Sequence, residues 1–118
     1  NAPFLVCRRD NDAIAGVINV SNIVRGAFQS AYVGYYGFAG HQGQGLMREG
    51  LRAVLKVAFG EMGLHRVYAE LDPRNAASVA LCLRLGMRHE AHFVEHMMFK
   101  GEWADTGIYG LLAREWKL

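Results

Sequence analysis

Cysteine is nearly absent: the 118 residues hold only Cys7 and Cys82, far apart and outside any CxxC pair. That usage gives no support to a disulfide framework, a zinc knuckle or a thiol redox motif. No apolar run approaches the roughly 20 residues that a membrane helix needs, and the start shows no basic stretch followed by a secretory apolar core. The expected location is the cytoplasm, with no membrane partner. Charge of one sign is scarce too. Thirteen basic against eleven acidic side chains leave a formal +2, without the concentrated basic face of a nucleic-acid binder. Repeats, linkers and low-complexity segments are missing. What remains is a chain that is 52% hydrophobic and 20% charged with mean hydropathy +0.04, which argues against disorder and for a single domain with a core.

The stretch 30–62 organises the rest. It reads as an aromatic-rich strand (SAYVGYYGFAG), a glycine-bearing loop (HQGQG) and an amphipathic helix (LMREGLRAVLKVAFGEM). A loop entering a helix leaves backbone N–H groups without intrahelical partners, and the helix dipole adds positive potential there. Such a site accepts anions, phosphate above all. The spacing of Leu46, Met47, Leu51, Val54, Leu55, Ala58, Phe59 and Met62 predicts one helical face. Gly63 is expected to close this helix. Gly50, costly in mid-helix by about 1 kcal/mol, either permits a close contact or is tolerated.

Before this stretch, residues 4–9 and 14–20 read as strands joined by a turn at Asp10-Asn11-Asp12, with a polar break around Asn22, Arg25 and Gly26 before a third strand, 30–38. After it, 65–71 alternates as a strand, and strand–helix–strand order implies a parallel right-handed crossover. Asn75 is placed to cap a second helix, 76–85, whose apolar run 79–85 predicts a largely buried element ending at Gly86. Two further strands, 88–99 and 106–112, flank a turn at Lys100-Gly101-Glu102-Trp103. The fold expected is mixed α/β, antiparallel at both ends with a central parallel pair.

Several chemistries lose support at once. The loop Gln42-Gly43-Gln44-Gly45 lacks the lysine and Ser/Thr of a nucleotide P-loop and the full GxGxxG of dinucleotide binders. A diphosphate could still lie on the N–H groups from Gln42 through Met47. His89, His92 and His96 do not form HExxH, and in an extended strand the last two are about 13 Å apart, so no metal is expected. Asn75 and Ser78 show capping spacing, and a Ser78 hydroxyl at a helix start could protonate a departing thiolate. Trp103, Trp116, Tyr35 and Tyr36 could serve a peptide or simply pack.

Four segments carry a resemblance: GVINVSNIVRGAFQSAYVGYY, HQGQGLMREGL, HRVYAELDPRNAASVALCLRLGM and FKGEWADTGIYGLLAREW. Together they resemble the Gcn5-related N-acetyltransferase superfamily, and within it the branch that acetylates N-terminal alanine or serine of ribosomal proteins. The resemblance implies a sheet whose parallel strands splay around an acyl-CoA cleft. The family loop Q/R-x-x-G-x-G/A falls on Gln42, Gly43, Gln44, Gly45, Leu46 and Met47, with Met47 in place of a small residue. It implies acetyl-CoA, its diphosphate on this loop and its pantetheine beside Tyr36, Gly37 and Phe38. The family's N-x-x-S element implies that Asn75 contacts the pantetheine arm and Ser78 is the acid; many relatives carry a tyrosine acid where this chain has Cys82, which is read as a core residue. Amine transfer also needs a base. Glu70, ending the second parallel strand, is the first candidate, with Glu90, Glu95 and Asp105 as competitors. A backbone N–H near Phe38 could stabilise the oxyanion.

Family members begin with a further strand and one or two helices, so residues 1–118 are expected to be a single acyl-CoA N-acyltransferase domain incomplete at its N-terminus, with homodimerisation one way to complete the core edge. The leading expectation is acetyl transfer to a protein or peptide α-amine, ribosomal proteins included, without nucleic-acid contact. The alternatives are acetylation of a small amine, such as an aminoglycoside or polyamine, and a non-catalytic CoA-binding module.

Overall fold

The computed structural model describes residues 2–37 and 45–116. Six strands form one sheet: β1 (Ala2–Cys7), β2 (Ile14–Val24), β3 (Ser30–Gly37), β4 (Arg66–Leu71), β5 (Arg88–Phe99) and β6 (Glu102–Leu112). Helix α1 (Leu46–Phe59) joins β3 to β4, α2 (Ala76–Arg84) joins β4 to β5, and a short 3-10 turn follows β6. The spatial order is β1-β2-β3-β4-β6-β5, antiparallel throughout except for the β3–β4 pair. The expected mixed fold with a parallel centre is the one observed.

Alternation along the strands sorts the sheet into two faces. Ile18, Val20, Ala31, Val33, Val67, Ala69, Tyr109 and Leu111 share one buried cluster with Leu51 and Leu55 of α1 and Cys82 of α2. Both helices therefore pack on the same face. The connections explain this: they step across the sheet in one direction, and right-handed crossovers then put both helices on one side. The other face carries Tyr32, Tyr68 and Glu70, all half-buried, and no helix among the described residues.

Gly50 is a close-contact glycine. A Cβ there would stand 2.8 Å from Val6 Cγ2 and 3.2 Å from Ile18 Cδ1, so its absence lets α1 settle onto β1 and β2.

Four local expectations are corrected. The first strand is Ala2–Cys7 and β2 runs on through Asn22 to Val24, because Asn22 adopts φ 50° at a register shift that absorbs the polar residues without ending the pairing. Helix α1 stops at Phe59, capped by Gly60 N–H on Lys56 O; Gly63, at φ 63°, belongs to the winding that follows, where Leu64 N–H reaches Ala58 O. The final hairpin turns on Lys100 and Gly101 alone, at φ 50° and 79°, the positive values a two-residue hairpin requires. Glu102 and Trp103 consequently pair with Phe99 and Met98, and β6 begins at Glu102. Lastly, α2 is not largely buried: Cys82 is its one buried residue and Leu83 is 54% exposed. It rests on the sheet along a single side, with no described layer above it.

Candidate active site

Strands β3 and β4 pair over only three positions, Ser30 to Tyr32 against Arg66 to Tyr68. Beyond them β3 continues with β2 alone, through Gly37, and β4 with β6 alone, through Leu71. The two parallel neighbours part at their C-terminal ends, so a wedge opens whose facing backbone edges have no strand partner among the described residues. In open sheets of this kind ligands enter at the C-terminal ends of parallel strands.

The start of α1 lies at the same end of the sheet. Gly45 is its N-cap in the left-handed conformation, φ 69°, and no side chain caps the helix. A Cβ at Gly45 would meet nothing within 4 Å, so dihedral freedom, not crowding, calls for glycine. The Met47 side chain is directed to the sheet: a Cβ on Gly16 would fall 2.6 Å from Met47 Cε, and one on Gly37 3.8 Å away. The bulky residue thus wedges under the ends of β2 and β3. Tyr36, 70% exposed, and Gly37 lie at the parting strand end. Phe38, Gln42, Gly43 and Gln44 lie outside the described residues.

On the helix face, Asn75 Oδ1 accepts from Ser78 N–H at 3.1 Å, fixing the first turn of α2. Opposite it stands a group that sequence reasoning treated only as an aromatic. The Tyr35 hydroxyl is buried with no hydrogen-bond partner among the described residues. Burial pushes its pKa up to about 12, and both Ser78 and Cys82 lie close enough to influence it, although neither meets hydrogen-bond geometry. The strand pattern fixes the face of Tyr35, but nothing in the sequence tells that α2 lies across from it. Cys82 is buried and its thiol is pushed up by that burial, an inert environment in keeping with a core role.

On the helix-free face, Glu70 meets His96: Nδ1 lies 3.3 Å from Glu70 Oε1 and 2.7 Å from the Oγ1 of buried Thr106. The Tyr32 and Tyr68 rings pack 5.7 Å apart on this face. The competing carboxylates are engaged elsewhere. Glu90 is held by Arg66 and, at 3.3 Å, by Arg88, and hydrogen bonding from Arg66 is the main cause of its lowered pKa. Asp105 accepts from Glu95 N–H at 2.9 Å and meets His92 Nε2 at 2.8 Å; the first of these is the main cause of its lowered pKa. Glu95 is exposed. Ser78 and Glu70 therefore flank the wedge from opposite faces of the sheet.

Among the described residues no histidine, cysteine and carboxylate cluster could hold a metal ion, and no helix is long and apolar enough to cross a membrane. Trp116 packs on Phe59 with Arg52 over its ring, away from the wedge, whereas Trp103 is exposed on the final hairpin.

Comparison with known proteins agrees with this geometry. Residues 1–88 match the profile of the acetyltransferase (GNAT) domain. The chain is 36% identical over 107 residues to the ribosomal protein uS5-alanine N-acetyltransferase of Escherichia coli, covering 91% of this chain and 55% of that protein. It superposes on the crystal structure of the ribosomal-protein-S5-alanine acetyltransferase of Vibrio fischeri with a TM-score of 0.90 at 29% identity, over 98% of this chain and 63% of that one. Mycobacterium smegmatis RimJ in complex with CoA-disulfide gives a TM-score of 0.85 at 28% identity, over 89% of this chain and 50% of that one. The chain spans 55% to 60% of the length of the first curated relatives it matches. On its sequence profile, its strand order and its parted central strands, this chain belongs to the Gcn5-related N-acetyltransferase family.

Proposed function

We propose that this chain, as a single acyl-CoA N-acyltransferase domain, transfers acetyl from acetyl-CoA to the α-amine of a protein or peptide, with the N-terminal alanine or serine of a ribosomal protein as the leading acceptor. One observation carries the reading: the parting of β3 from β4 beside the uncapped start of α1, in a chain 36% identical to a ribosomal-protein alanine acetyltransferase. Partnerless backbone edges and an open helix N-terminus suit an extended, amide-bearing arm ending in a diphosphate. When bound, acetyl-CoA supplies the activated acyl group.

The two faces support a role for each of the chain's own residues within this reading. The loop motif from Gln42 through Met47 is assigned the diphosphate, and Tyr36, Gly37, Phe38 and Asn75 are assigned the pantetheine arm. Ser78, fixed by the Asn75 cap, faces the wedge from the helix side and gives its proton to sulfur as the thiol leaves. Glu70 serves the incoming amine from the opposite side. A backbone N–H of the parted strand near Phe38 answers charge developing on the carbonyl oxygen. With the amine attacking directly, no residue of the chain carries the acetyl group.

The test is release of free CoA thiol from acetyl-CoA, with and without peptides beginning in alanine or serine. Peptide-dependent release with acetylated product is expected, and Ser78→Ala is expected to lower kcat by about 10²-fold while leaving CoA affinity within a small factor. CoA binding with no turnover of any peptide would overturn the reading.

A further inference from the structure

We propose that His96, and not Glu70 acting alone, receives the proton that the acceptor ammonium must shed, and that Glu70 is a positioning residue for that imidazole. The inference rests on the acetyltransferase reading above and assigns its base.

The argument begins with the backbone of β5. Its pairing with β6 is regular at Phe93 with Thr106 and again at Met97 with Ala104, and Val94, Glu95 and His96 bulge between them opposite Asp105. Glu95 takes φ 47°. Asp105 pins the bulge with both carboxylate oxygens, one on Glu95 N–H at 2.9 Å and one on His92 Nε2 at 2.8 Å. Bulges of this sort re-aim side chains. In an unbroken strand residues three apart point to opposite faces; here the Phe93 and His96 rings lie 4.8 Å apart. His96 is thereby turned onto the face that carries Glu70, beside the C-terminal end of β4 where the wedge opens.

The imidazole is oriented on one nitrogen only. Nδ1 meets Thr106 Oγ1 at 2.7 Å and Glu70 Oε1 at 3.3 Å, and Nε2 has no hydrogen bond among the described residues. With the proton on Nδ1 donated to these oxygens, Nε2 presents a lone pair outward from a side chain that is 43% exposed. This is the base-and-orienter arrangement of nucleophile-activating sites. The other charged groups that face it are accounted for: Glu70 from β4 orients it, Asp105 from β6 is held by His92 and Glu95 N–H, Glu95 of β5 itself is exposed, and Arg66 is tied to Glu90.

The step balances. An N–H bond of the acceptor ammonium breaks as an N–H bond forms at His96 Nε2. The freed electron pair makes the N–C bond to the thioester carbon, and the C–S bond breaks. The second nitrogen proton ends on sulfur through the Ser78 hydroxyl, and the imidazolium returns its proton to water.

The experiment is the pH dependence of kcat/KM for an alanine-starting peptide, measured on the 118-residue chain and on His96→Gln, Glu70→Gln and Glu70→Asp, with CoA affinity recorded for each as a control for folding. The wild-type profile should fall on the acid side with a single-group limb. His96→Gln should lower kcat by ~10²-fold and remove that limb while CoA affinity holds. Glu70→Gln should lose roughly tenfold by the same reasoning yet keep the limb, and Glu70→Asp should restore part of the loss. A His96→Gln variant that retains the limb and most of kcat overturns the proposal, as does loss of the limb in Glu70→Gln alone. A second readout does not need turnover: addition of the peptide to protein saturated with desulfo-CoA should move the His96 Nε2 resonance and not that of His92. If wild type turns over no peptide, the acceptor reading fails while the resonance still decides the role of His96; an unmoved resonance overturns it.

Discussion

The Tyr35 hydroxyl and Trp116 Nε1 are buried polar atoms without a hydrogen-bond partner among the described residues. With no partner among the described residues, the buried Tyr35 hydroxyl forfeits its hydration, at a cost of about 1–3 kcal/mol. Tyr35→Phe should therefore fold at least as well as wild type, an unusual outcome for a core substitution, and urea unfolding would measure it. The alkaline behaviour follows from the same burial. In the unfolded chain a phenol ionises near 10, whereas burial raises Tyr35 to about 12 in the fold. Because the native state favours the protonated form, this contribution is complete below pH about 10 and is lost as pH rises through about 12. Wild type should lose stability relative to Tyr35→Phe across that window, and a flat difference would show that the hydroxyl reaches solvent. Tyr35 also illustrates where sequence stops informing. Asn75 and Ser78 are legible because a cap is a local, three-residue matter; the neighbours of Tyr35 come from α2, a long way along the chain. His96 escaped notice for another reason, since judging it on an extended strand presumes the regularity that the Asp105-pinned bulge removes.

At the scale of elements, Gly50 sets two effects against each other. Alanine there would gain about 1 kcal/mol of helix propensity, and overpacking against Val6 and Ile18 would cost about 1–3 kcal/mol. Both neighbours are stiff β-branched side chains, so strain should win and Gly50→Ala should be destabilised by up to about 2 kcal/mol by those same figures. Equal or greater stability would mean that α1 can ride up on β1 and β2. Helix α1 itself was plain from its spacing, because it buries one stripe and exposes the other. Helix α2 misled through composition: an apolar run implies burial only if something lies on each side, and no described residue covers Leu83 enough to bury it. The hairpin turn was drawn two residues too long and its second strand four residues too late, because Lys100 gives no sign that it will adopt a positive φ, while Gly101 does.

The described residues form a single sheet with both helices on one face, and the placement of Ser78 on one side and of Glu70 with His96 on the other follows from strand alternation once the two crossovers run in the same direction. The parted strands also leave a signature in time. Successive backbone N–H groups along a strand point to alternate edges, so between Val33 and Gly37 every second amide is tied to β2 and its neighbours look into the wedge. The same holds for β4 from Ala69 to Leu71 against β6. In deuterated solvent these short stretches should read as a stripe, slow and fast amides in turn, while Arg66 to Tyr68, paired with β3 on one side and β6 on the other, stay slow throughout. Bound CoA should erase the stripe by slowing the fast members alone. A uniform rate along both stretches would mean that the strands close up in solution, and that the cleft has to be opened anew by every molecule that enters it.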